Sequence, residues 1–292
     1  MAPSGERASL TAPRMTPPPV SPPPPPPPPP AGDATPGLPE GLAEYAPTGM
    51  SDELRRRLLE VFARTRDRQI GNTASTLRAT AAPAQLAENV GGDAFTLIAA
   101  LVEASPARAQ HECGKGCAWC CHQQVRVSAP EAIGIAEALR AAYPPEWLAT
   151  LRRIIAQRVE RISVLGTVRA YLEARLPCAF LAPDGGCAVY ERRPLVCRGF
   201  HSLSRSACQE KYVDLASPPP PIDSYAHMAA NAVLHGVVAA VAAAGKDGRL
   251  YELHGAVLRA LDTPDAGARW ARGEAVFAGC KLSLGSPVDN AG

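Results

Sequence analysis

The chain has little aromatic side chain and almost no lysine. Trp, Tyr and Phe make up 5% of its 292 residues, against 46% hydrophobic overall, and only 4 of its 30 basic residues are Lys. The resulting arginine excess could serve phosphate recognition, but the arginines are scattered among acids and the net charge is only +2. Nucleic acid is therefore not the expected partner. Residues 1–30 lack the continuous apolar run of about 7 to 15 residues that a secretory signal needs. The most apolar stretch, Met228 to Ala244, is interrupted by Asn231 and His235 and falls short of the roughly 20 residues that cross a bilayer. It is expected as a buried helix, and no membrane association is expected. Familiar catalytic fingerprints are missing too. No Gly-x-Gly-x-x-Gly follows a strand, Gly114-Lys115-Gly116 is too short for a phosphate loop, and neither Gly-x-Ser-x-Gly nor His-Glu-x-x-His occurs. There is no internal repeat.

What the chain does have is 31 prolines and nine cysteines, and they segregate. Seventeen prolines lie within residues 1–47, nine of them consecutive at Pro22 to Pro30, whereas every cysteine lies between Cys113 and Cys280. Residues 1–48 are expected to be a disordered tail with a polyproline II segment, acting as a spacer. Residues 49–285 are expected to form one folded domain, long enough to bury a core without disulfides. A cytoplasmic setting is expected. In that reducing compartment, clustered cysteines read as metal ligands or redox groups.

The body reads as mainly α. Ser51 is an N-cap candidate, with Leu54, Leu58, Val61 and Phe62 at helical steps behind it. A second helix is expected from Gly92 to Ala104. Ser128-Ala-Pro-Glu131 is a capping box opening a helix with Ile133, Ile135 and Leu139 on its buried face. The longest helix is expected over Pro145 to Leu176, with an arginine-rich outer face read as solvated. Cys178 to Tyr190 reads as a short β-hairpin turning at Asp184-Gly185-Gly186. Helices are then expected over Ser224 to Ala244, Leu250 to Leu261 and Asp265 to Ala278. The predicted architecture is thus a helical domain built around a cysteine-rich metal-binding core.

That core begins with Cys113-Gly-Lys-Gly-Cys117-Ala-Trp-Cys120-Cys121-His122. The glycines suit a backbone that must turn several thiolates toward one point. Adjacent side chains tend to diverge, so Cys120 and Cys121 are expected to serve different metals or different corners of a cluster. The second group is Cys178, Cys187 and Cys197 with trailing Cys208, giving eight candidate ligands. Eight thiolates suit two four-ligand sites, whether two tetrahedral zincs, a cluster plus a zinc, or a cluster with spare reactive cysteines. Lys115, Arg192, Arg193 and Arg198 could offset the remaining charge. Cys280 stands apart and is expected to be a small apolar residue. His111, His122 and His201 are expected beside the ligands or at the surface, and His227, His235 and His254 in the core.

Cys113-x3-Cys117-x2-Cys120-Cys121, Cys178-Ala-Phe-Leu, Gly-Cys187-Ala-Val-Tyr-Glu-Arg-Arg-Pro-Leu-Val-Cys197-Arg-Gly-Phe and Cys208 resemble the YkgJ-type cysteine-cluster family, over about residues 111–212. The resemblance implies a zinc- or iron-chelating domain and supports Cys113, Cys117, Cys120, Cys121, Cys178, Cys187, Cys197 and Cys208 as ligands. It carries over no reaction. The expected function is metal binding in one or two sites, with an iron–sulfur cluster favoured over zinc. Two other readings stand beside it: a metal-dependent protein-modifying enzyme similar to the flagellin lysine N-methylase group, and a thiol redox or metal-transfer module. A protein partner is compatible with each, and none is specified.

Overall fold

The computed structural model describes residues 51–282, so the proline-rich tail expected over residues 1–48 lies outside them. The described chain folds into ten α-helices and one two-stranded sheet. Helix α1 (Asp52–Ala79) starts where Ser51 accepts the backbone N–H of Leu54, with Asp52 and Glu53 in the first turn to meet its positive end. Helix α2 (Pro83–Glu103) begins on a proline, whose fixed φ suits a first turn. A loop carrying the first four cysteines leads to strand β1 (Arg126–Ser128). Helix α3 (Ala129–Ala142) follows, started by the predicted Ser128/Glu131 capping box.

Helices α4 (Pro145–Ser163) and α5 (Val168–Ala174) come next, and two short helices, α6 (Leu195–Arg198) and α7 (Arg205–Val213), carry Cys197 and Cys208. Helix α8 (Ser224–Ala243) is long and apolar enough to cross a membrane by length and composition, yet 67% of its apolar window is buried inside the fold. Packing therefore accounts for its composition. Strand β2 (Leu250–Glu252) and helices α9 (Leu253–Asp262) and α10 (Ala266–Ala271) complete the order.

The main core lies where α2, α3, α8 and α9 meet, among Val90, Ile98, Ile133, Ile135, Val233, Val257 and Trp270. Helix α1 lies along α8. Its buried face is partly polar, with Gln69 donating to Thr73 at 2.9 Å between Phe62 and the end of the helix. A Cβ on Gly236 of α8 would fall 2.6 Å from the Cβ of Gln69, so glycine sets how closely the two helices approach.

Four expectations need correction. The helix over Pro145 to Leu176 is two helices, because Gly166 and Thr167 interrupt it and the Thr167 hydroxyl accepts the Ala170 N–H at 3.1 Å to cap α5. The longest helix is instead α1. The hairpin over Cys178 to Tyr190 has the Asp184-Gly185-Gly186 turn, but its pairing is a single Leu181–Cys187 bridge. Ladder formation stops there because the flanking N–H groups serve tight turns and the Tyr190–Arg192 3₁₀ helix. The regular sheet is elsewhere: β1 and β2 run antiparallel with Val127 opposite Tyr251, so Leu250 to Glu252 is strand before it becomes helix. Finally, the last helix ends at Ala271, where Gly273 takes a positive φ of 82°.

Candidate metal centre

The first cysteine loop is shaped by turns. Cys117 N–H donates to Gly114 O at 3.0 Å across Lys115-Gly116, with Gly116 at φ 86°, and Trp119–His122 forms a 3₁₀ helix. The second group is pressed against it. Cys178 N–H donates to Cys121 O at 2.7 Å, and Lys115 pairs with Asp184 at 3.1 Å. A Cβ on Gly185 would stand 2.9 Å from the Gly116 Cα, so the turn of one group packs backbone to backbone on the turn of the other. From a third side, Ser202 N–H donates to the Cys113 sulfur at 3.1 Å.

Seven of the eight thiols fall into two neighbourhoods that share Cys120, and Cys121 joins them through Cys120. Cys113 and Cys208 each feel the charge of Cys117 and Cys120, while Cys197 feels that of Cys120, Cys178 and Cys187. The Cys121 thiol is the hydrogen-bond partner of the Cys120 thiol. Adjacent side chains therefore converge here rather than diverge, because both sit in the tight 3₁₀ turn. Cys280 lies apart, against Gly255 O and the Arg259 side of α9.

Burial drives the thiols of Cys113, Cys187, Cys197 and Cys208 upward from the ordinary range, and neighbouring cysteines add to it. Cys120 is raised first by its bond with Cys121 and then by burial. A thiolate in such a place needs a cation to persist. Of the four basic residues expected to help, Arg193 acts on Cys120, Cys187 and Cys197, and Arg198 on Cys187. The other two are committed elsewhere, Lys115 to Asp184 and Arg192 to Glu88. Among the described residues, no three sulfur, imidazole or carboxylate donors already stand as a closed coordination shell. The donor chemistry of these eight free thiols fits a soft or borderline cation.

The histidines divide. His111 is buried and pairs with Asp223 at 2.7 Å, its ring stacked on that of His201 at 4.3 Å, while Ser105 donates to the same carboxylate at 2.6 Å. His201 donates to Arg198 O at 2.8 Å. The two rings thus brace the loops around Cys113 and Cys197. His122 bonds to Ala118 O and lies against Tyr212.

His254, expected as a core histidine with a partner, has that partner and also reaches the cysteines. Its Nδ1 bonds to Glu252 at 2.6 Å, its Nε2 accepts the Ala179 N–H at 3.1 Å, and the Cys178 thiol is within hydrogen-bond reach. Burial opposes a charge on the ring, but Glu252 and Cys178 together make it more basic than free imidazole. Held by Glu252, the ring is placed to orient the Cys178 sulfur as a ligand.

Glu131 has a second role that local sequence does not reveal. Beyond the capping box, its other oxygen accepts the Leu195 N–H at 2.8 Å, fixing the start of the helix that holds Cys197. No sequence pattern marks Glu131, Glu252 or Ser202 as supports of this site, because each acts across a long stretch of chain.

Residues 112–214 match a family model, CxxCxxCC, described as "Putative zinc- or iron-chelating domain". No curated protein and no solved structure matches the chain. Over residues 112–214, about a third of its length, this chain is thus similar to the CxxCxxCC cysteine-cluster family.

Proposed function

We infer that Cys113, Cys117, Cys120, Cys121, Cys178, Cys187, Cys197 and Cys208 hold iron, as an iron–sulfur cluster, in preference to zinc. The observation that carries this reading is that seven free thiols fall into two neighbourhoods sharing Cys120, with Cys121 beside it, and that burial and mutual repulsion raise several of them. A shared sulfur suits a polynuclear centre better than two isolated tetrahedral ions. When bound, such a centre supplies electron transfer or Lewis acidity. The chain's own residues hold the donors in place: Glu131 anchors the Cys197 helix, Ser202 donates to Cys113, and His254 orients toward Cys178. The setting proposed for the protein is the reducing cytoplasm, where clustered thiols stay available as ligands.

Anaerobic purification followed by iron, sulfide and zinc analysis tests the reading. Iron with matching acid-labile sulfide and visible absorption is expected. Colourless protein with stoichiometric zinc contradicts the cluster and leaves a metal site.

A further inference from the structure

Helix α7 carries Cys208 and, one turn on, Tyr212, which puts both side chains on one face of the helix. The helix lies on the Trp119–His122 turn of the first cysteine loop. Cys208 is buried, and the Tyr212 ring meets two aromatic neighbours, 5.3 Å from the Trp119 ring and 4.7 Å from the His122 ring, both at tilted angles. The Arg175 guanidinium stands 5.4 Å from the centre of the same ring and donates to Val213 O at 2.5 Å. From Ala207 to Ser217, among the described residues, this is the one hydrogen bond that joins the helix and the turn after it to a distant part of the chain. Arg175 supplies it from a backbone that disfavours it. The residue closes α5 at φ 46° and ψ 36°, in the left-handed region that suits glycine, and Asp265 alone shares a positive φ among the described non-glycine residues. Glycine would fill the position with less strain, but only a long cationic side chain makes both contacts to α7.

We propose that Tyr212 is a positioning residue for Cys208: Arg175, Trp119 and His122 clamp its ring, the clamp holds Cys208 against the first cysteine loop, and release of the ring opens the route by which metal leaves. The inference rests on Cys208 being a metal ligand, as inferred above, and adds what controls exchange at that site. The other end of α7 is fixed separately. Ser204 caps it by accepting the Ala207 N–H at 3.2 Å, and the Glu112 carboxylate accepts the Arg205 N–H at 2.7 Å. The helix therefore has a firm end and a releasable end, with Cys208 between them. The releasable end is held by ring and cation–π contacts among half-buried side chains and an exposed arginine, each of modest strength, so it can open without unfolding the core.

The test uses the full-length protein purified anaerobically with its own metal, and metal per chain is measured on every sample. Two rates are followed: loss of metal to excess EDTA, and alkylation of Cys208 by iodoacetamide, located by mass spectrometry. In Tyr212→Ala and in Arg175→Gly both rates should rise about tenfold, whereas Tyr212→Phe, which keeps the ring, should match the unaltered protein. Arg175→Gly also relieves the left-handed strain, so its melting temperature should stay close to that of the unaltered protein while the rates rise. That variant separates an opened clamp from a loosened fold, and it reads the clamp even where Tyr212→Ala folds poorly. Unaltered rates in Arg175→Gly, rates in Tyr212→Phe as fast as those in Tyr212→Ala, or faster alkylation at all the clustered cysteines alike would each overturn the proposal. Full metal content in Cys208→Ser would instead count against Cys208 as a ligand, and the alkylation rates would still decide the clamp.

Discussion

The backbone N–H of Cys178 donates to the carbonyl of Cys121 at 2.7 Å, tying the two cysteine groups together through main chain alone. The same junction is tightest at Gly185, which has φ 75° and whose added Cβ would meet the Gly116 Cα at 2.9 Å. Gly185→Ala should destabilise the fold by about 3 kcal/mol, from strain plus backbone overlap, and lower metal content. Gly245→Ala is the control: φ is 69° but nothing lies within 4 Å, so strain alone costs about 1 kcal/mol. Denaturant titration of both variants measures the difference.

Glu131 accepts from Ser128 and from Leu195 with its two oxygens. Glu131→Gln turns one acceptor into a donor facing an N–H, and should cost about 1 to 3 kcal/mol. Because Leu195 opens the helix of Cys197, metal content should fall with it. Unchanged stability would show that α3 and α6 do not need this link.

His254 touches Cys178 and is held by Glu252. His254→Phe should lower metal affinity about 10- to 100-fold in competition with a chelator, the usual effect of removing a group that orients a ligand. An unaltered affinity would place His254 outside the metal's support.

His235 on α8 provides a pH prediction. Burial, helped by the charges of Arg126 and Arg66, lowers its pKa from 6.5 to about 4. The folded protein thus keeps the ring neutral where the unfolded chain would charge it. Its stabilising effect is complete above pH 6.5 and is lost as pH falls toward 4, by up to about 3 kcal/mol. In unfolding measurements across that window, His235→Leu should lose less stability on acidification than the unaltered protein. Parallel curves would contradict the assignment.

Local signals carried much of the fold. Ser51, the Ser128/Glu131 box and the apolar run of α8 each mark an element that the structure contains, since caps and periodicity act over a few residues. The break at Gly166-Thr167 was also written locally, as a glycine followed by a capping threonine, but the apolar stripe continuing to Leu172 masked it. The separation of Cys280 from the other eight was legible from spacing. Pairing of Val127 with Tyr251, the reach of Glu131 to Leu195 and the approach of His254 to Cys178 were not, because each joins residues far apart in the chain. The convergence of Cys120 and Cys121 followed from a 3₁₀ turn that no residue pattern announces.

The most direct measurement is metal per chain in the unaltered protein, in Cys280→Ser and in single Cys→Ser variants of the eight clustered positions, all prepared anaerobically. The account predicts that Cys280→Ser retains the full iron and sulfide content while substitutions within the eight, Cys120 foremost, lower it. Full metal content in Cys120→Ser, or its loss in Cys280→Ser alone, would contradict the account.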